Sequence, residues 1–317
     1  MRRLYMVIMA IIIILSGCNY KSNVADKKIE IDENKVIKDE EIIAVKDQTK
    51  KERPPTLDST DFIRKKTFYN SIGKSSKFDS SNIIAGIIPH HDVACKYIAS
   101  FYKTVAEQKD PDIVIIIGPN HPGTGPRFQV GNFDFNTRSG VINSNSNIIY
   151  NLAKNPIMYL SEKDVFEKEH SVGLHMNYIR YYFPSAEVVP IIIGETRNLD
   201  GILEVAQDVV KEIKDKDILL IASIDFSHYL TLEQANEKDK LTREIINNSD
   251  VRQMIGLGND HIDSPSSYGL LMEILNQMGI TYKCKINGND NSANIIGDTD
   301  IKETTSYFFV SYERVDD

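Results

Sequence analysis

This chain reads as an α/β protein, a single-domain αβα sandwich with a mixed, largely parallel central sheet. Three observations predict it. Four short runs, 83–88, 113–117, 188–193 and 218–222, are almost wholly apolar and rich in β-branched residues. Strands buried on both faces read this way, because helices cover each side of their sheet. Between the runs lie helix-period patterns at 95–108, 171–183, 199–214, 232–247 and 266–278, and strand–helix alternation implies crossover connections and parallel strands. Finally, the stretch from residue 62 to 317 has the length of one large domain.

Taken in order, the first 17 residues are a leader rather than fold. Arg2 and Arg3 precede an apolar run, and Leu15-Ser16-Gly17-Cys18 follows it, the layout of a secretory signal that resembles a bacterial lipobox. Cleavage before Cys18 and lipidation of its sulfur are expected, which makes a membrane the first partner and the extracytoplasmic face of a bacterial membrane the location. A short membrane-spanning anchor is the competing reading, but the apolar run of about a dozen residues falls short of the ~20 that a bilayer requires. Residues 18–61 are rich in Lys, Glu, Asp and Asn and read as a tether, too poor in apolar surface to offset ordering entropy. The folded domain is expected over 62–317.

Within it, residues 127–144 alternate Phe and Val with polar residues and read as one or two exposed strands, and 304–312 reads as a final aromatic strand. The formal charge is −8, or −10 after loss of Arg2 and Arg3, without a basic stripe. Nucleic acid is therefore not an expected partner. Besides Cys18 there are only Cys95 and Cys284, too few for a disulfide framework, although the compartment permits them to pair.

The chemistry lies in the histidines. All seven fall between His90 and His261, most in polar clusters that follow apolar runs: PHHD at 89–92, GPNHPG at 118–123, EHSVGLH at 169–175, DFSHY at 225–229 and DHIDSP at 260–265. Ligands of open α/β sheets bind beyond the carboxyl ends of the strands, where His90, His121 and His228 are expected. Neutral imidazoles on short loops are good nitrogen donors, and His90, His121 and His261 form the expected ligand set of an open metal site. Asp225 is expected to orient His228, which moves protons. His170 and His175 stand about 140° apart on one helix, so only one reaches the site, and His170 is the candidate. Of His91 and Asp92, at least one is expected to face away. Nucleotide-binding glycine fingerprints and a nucleophile elbow are both absent.

Together with Gly297-Asp298 and the aromatic last strand, the ordered motifs PHHD, GPNHPG, EHSVGLH, DFSHY and HIDSP resemble the Memo family, also called AmmeMemoRadiSam system protein B. The resemblance spans residues 83–313. It implies a fold like that of the class III extradiol non-haem-iron dioxygenases, with metal ligands at His90, His121 and His261 and further site residues at His170, His228, Asp225 and Tyr229. Three departures stand out: His91-Asp92-Val93 replaces Ala-Gly-Tyr, Gly173 replaces a Glu, and His261, aligned through Pro265, replaces a cysteine. Imidazole for thiolate moves the expected divalent cofactor toward Fe(II), with Zn(II) or Cu as alternatives. Amme-domain and radical SAM proteins are the partners that the resemblance implies.

The sequence thus predicts a lipid-anchored, extracytoplasmic metal-binding protein, dioxygenase-like if it is an enzyme, acting on a small molecule or peptide. A non-catalytic binding module and a metal-dependent hydrolase are the alternatives.

Overall fold

The computed structural model describes residues 53–315. The leader, Cys18 and most of the tether lie outside the described residues. In chain order the strands are β1 (Thr56–Asp58), β2 (Ile83–Ile88), β3 (Ile113–Pro119), β4 (Phe128–Val130), β5 (Asp134–Thr137) and β6 (Gly140–Ile142), followed by β7 (Met158–Leu160), β8 (Glu187–Ile193), β9 (Ile218–Ser223), β10 (Tyr282–Asn291) and β11 (Ser306–Arg314). The helices are α1 (Lys65–Lys74), α2 (Cys95–Ala106), α3 (Ser146–Leu152), α4 (Lys163–Phe166) and α5 (His170–Tyr182), then α6 (Leu199–Ile213), α7 (Leu232–Asn248), α8 (Val251–Ile255), α9 (Pro265–Gln277) and α10 (Ser292–Ile296).

Eight strands form the main sheet in the order β10-β11-β2-β9-β3-β8-β4-β7. Its centre, β2-β9-β3-β8, is parallel throughout, while β11 and β4 join it antiparallel on either side. The four apolar runs are these four central strands. Their side chains alternate between two cores. Ile113, Ile115 and Ile117 of β3 join the layer formed with α6 and α9, whereas Val114 and Ile116 join the layer formed with α2 and α5. Period-two alternation with both faces apolar is what a helix–sheet–helix sandwich requires. No described helix is long and apolar enough to cross a membrane.

Two expectations are corrected. Residues 127–144 hold three short strands, and β4 is buried within the main sheet rather than exposed, since β7 covers its outer edge. The chain is also ordered before residue 62. β1 runs parallel to β5 in a second sheet, β1-β5-β6, and Asp134 N donates to Pro55 O at 3.1 Å. A three-residue strand carries too little periodicity to stand out from a polar leader, so its partner strand defines it.

All four central strands point their carboxyl ends at one edge of the sheet. His90 lies two residues beyond β2, His121 two beyond β3, and Asp225 two beyond β9. Because β2, β9 and β3 are neighbours, the three loops meet.

Candidate metal centre

The rings of His90, His121 and His170 form one cluster, with ligand atoms within 4.8 Å of one another. His121 stacks on His170 with centroids 4.3 Å apart, and His90 meets both edge-on at 5.0 and 5.1 Å. Two nitrogens bound to one ion at ~2.1 Å each stand at most ~4.2 Å apart. The observed spread of up to 4.8 Å lies just above that.

His121 rides on a tight turn in which Gly123 N donates to Asn120 O at 3.1 Å, and Gly123 holds a left-handed φ of 64°. The turn aims the ring at Glu169, which caps α5 and is fully buried. Glu169 accepts from His121 N at 2.7 Å and, on its other oxygen, from His121 Nδ1 at 2.8 Å and Ser171 N at 2.9 Å. Burial alone would raise the Glu169 pKa, but the bonds from His121 and Ser171 outweigh it and hold it low. With the carboxylate ionised, the His121 proton sits on Nδ1 and Nε2 is left for a ligand.

His90 is buried, with its Nδ1 3.0 Å from Ser223 Oγ. Asp225 accepts from His90 N at 3.1 Å, and its second oxygen lies 3.8 Å from Nε2. Burial pushes the His90 pKa down, yet the charges of Asp225, Asp263 and Glu169 together carry it up to about 9. In the described ion pairs these carboxylates have only histidines as cationic partners. The pocket demands positive charge. Partial burial, and then the charges on His90 and His121, hold His170 down at about 4. It is therefore neutral at pH 7, on a side chain that is still 47% exposed.

The expected ligand His261 is not in this group, and His170 stands in its place. Ile262 pairs with Phe226 and turns into the core, while a turn on Gly258 and a 3.2 Å contact from Nδ1 to Thr242 on α7 hold His261 aside. The residue of this segment that reaches the cluster is Asp263, two positions beyond the one matched through Pro265. Its Oδ2 is 3.3 Å from His90 Nε2 and 3.9 Å from His121 Nε2, both its oxygens are buried, and His90 is its nearest cationic partner. The expected pairing of Asp225 with His228 is also corrected. Asp225 faces His90, and His228 keeps a buried Nδ1 without a partner. His175 packs inside α5, with Nδ1 2.9 Å from the Tyr102 hydroxyl. His91 turns away, with Nδ1 2.5 Å from the Tyr307 hydroxyl.

Glu169 and Asp263 were both present in the histidine motifs but unassigned by sequence reasoning. Acidic side chains beside histidines are common, and only coordinates separate the two that converge.

A family model described as Memo-like protein matches residues 58–307. The chain belongs to the Memo family. Relatives named MEMO1 family protein include one from Sulfurisphaera tokodaii, 29% identical over 195 residues that cover 60% of this chain and 69% of the relative. Others come from Caldivirga maquilingensis and Metallosphaera sedula, each 27% identical with the same shares covered. A solved structure, an uncharacterized protein JW3007 from Escherichia coli K12, aligns with a TM-score of 0.47 and 11% identity over 73% of this chain and 99% of that one. As a Memo protein the chain has the α/β fold of the class III extradiol dioxygenase type. Its Gly173 has a local cause: a Cβ there would lie 2.1 Å from the Phe62 ring, so the segment before α1 occupies the space a side chain would need.

Proposed function

We propose that this Memo protein is a lipid-anchored metalloenzyme with a dioxygenase-like non-haem iron site. One observation carries the proposal: the buried Asp263 carboxylate stands beside the Nε2 atoms of His90 and His121, at 3.3 and 3.9 Å, and Asp225 and Glu169 lie against the same two rings. Three carboxylates gathered in one partly buried pocket with only histidines as cationic partners favour a bound cation, which a metal ion supplies. Two imidazoles and one carboxylate are the donor set that suits Fe(II) with open coordination positions. Neither described cysteine belongs to the cluster, which weighs against copper held by thiolate.

In this reading His90, His121 and Asp263 hold the ion. Bound Fe(II) supplies positions at which a substrate and dioxygen can meet. Glu169 keeps the His121 proton on Nδ1, and Asp225 anchors the His90 backbone. His170, neutral and open to solvent, offers a ring nitrogen as hydrogen-bond acceptor to a hydroxyl of an incoming small ligand. The leader places this site on the extracytoplasmic side, tethered through Cys18.

Metal analysis of untagged full-length protein, followed by anaerobic Fe(II) reconstitution and an oxygen-uptake screen over small hydroxylated compounds, tests the site. About one ion per chain and substrate-dependent uptake are expected. Failure to retain Fe(II) or Zn(II) after reconstitution would sink it. The anchor has its own test: Cys18→Ser should move the protein from the detergent phase to the soluble fraction, and unchanged partition would refute lipidation.

A further inference from the structure

We infer that Ser223 is a positioning residue for His90, and that the tripeptide Glu169-His170-Ser171 organises all three imidazoles of the cluster. The inference deepens the metal-site reading and rests on it for its purpose, though its geometry stands alone.

Ser223 is the last residue of β9 and is fully buried. Its hydroxyl donates to Ser171 O at 2.6 Å and lies 3.0 Å from His90 Nδ1. A backbone carbonyl only accepts, and a serine hydroxyl has a single proton. That proton is committed to Ser171, so the His90 contact must run the other way, with Nδ1–H donating to Ser223 Oγ. His90 therefore carries a proton on Nδ1, and Nε2 is the atom turned toward Asp263 at 3.3 Å.

The acceptor at the end of this relay belongs to the first turn of α5, which also supplies the rest of the cluster. Glu169 holds His121 by its Nδ1, His170 is itself the third ring, and the Ser171 carbonyl holds His90 through Ser223. Two imidazoles from different strands thus have their Nδ1 atoms anchored on one three-residue segment, leaving both Nε2 atoms inward. Gly118 in β3 permits this approach, because a Cβ there would lie 2.4 Å from Ser171 Oγ. Outer hydrogen bonds of this kind fix the tautomer and orientation of a metal-binding histidine.

The test uses full-length protein with ¹⁵N-labelled histidine, metal-free and after Zn(II) addition, in wild type, Ser223→Ala and Ser223→Thr. His90 is assigned by loss of its signals in His90→Gln. Wild type is expected to show an exchange-protected Nδ1–H on His90. Ser223→Ala should lose that protection and bind Zn(II) ~10–100-fold more weakly. Ser223→Thr, which keeps the hydroxyl, should restore both. A bare Nδ1 on wild-type His90, or a Ser223→Ala spectrum and affinity matching wild type, would overturn the inference. If no variant binds Zn(II) but the proton behaves as described, Ser223 keeps its role and the metal-site reading falls.

Discussion

A His121→Ala chain should emerge without bound metal, and a Glu169→Gln chain should bind it ~10–100-fold more weakly than wild type. The first change deletes a donor whose Nε2 faces the cluster. The second leaves every ring in place and alters only what holds one of them. Glu169 accepts on both oxygens, from His121 N at 2.7 Å and from His121 Nδ1 at 2.8 Å. Glutamine offers one acceptor and one donor, so one of these contacts becomes a donor facing a donor. Its amide also removes a negative charge from the pocket. The oxygen that accepts from His121 Nδ1 also caps α5 through Ser171 N, so the variant should lose on the order of 1 kcal/mol of stability as well. Competition titration with a chromophoric chelator reads the affinities, and thermal melts of metal-free protein read the cap. Wild-type affinity in both variants would place the ion elsewhere.

Acid should destabilise the domain through His175. This side chain is fully buried, and burial, with the charge on His90 second, holds its pKa down to about 3. Unfolded, it titrates near ~6.5. The folded value lies below the unfolded one, so its contribution is complete above about pH 6.5 and is lost as pH falls toward 3. Across that window the loss is on the order of 4 kcal/mol, a sizeable part of a net stability of roughly 5–15 kcal/mol. His90 has the opposite sign. In metal-free protein its folded value is about 9, so its contribution is complete below about pH 6.5 and is lost as pH rises through 9. Denaturant midpoints between about pH 4 and about pH 9 should therefore trace a dome. His175→Leu should lower the plateau, since the Tyr102 hydroxyl loses its partner, and should flatten the acid limb. An acid limb as steep as that of wild type would assign the effect to other groups.

Much of this molecule was legible before any coordinates. β2 begins and ends where its apolar run does, and the helix patterns at 199–214 and 232–247 match α6 and α7 within a residue. These segments carry long, unambiguous periodicity, because each buries a whole face or both faces. β10 went unread for the opposite reason. Its sequence, YKCKINGNDN, is polar, and a strand at the edge of a sheet needs only one neighbour. β1, which joins β5 and β6 of the second sheet, escaped likewise. In the site, His90 and His121 were readable because each follows a buried strand by two residues, a distance that leaves little freedom. His261 was misplaced because it lies on an irregular segment between α8 and α9, where one residue more or less changes which side chain faces inward.

By itself the sequence determined the layering of the domain, the edge at which chemistry gathers and two strand-end histidines that gather there, His90 and His121, because burial periodicity and strand direction are local properties of a chain. Tertiary structure alone decided which acids belong with them. Glu169, Asp263 and Ser223 lie far apart in sequence and converge only when β2, β9 and β3 lie side by side with α5 across their ends. A carboxylate's role follows from what it faces, and facing is set by packing between elements rather than by the order of residues within one.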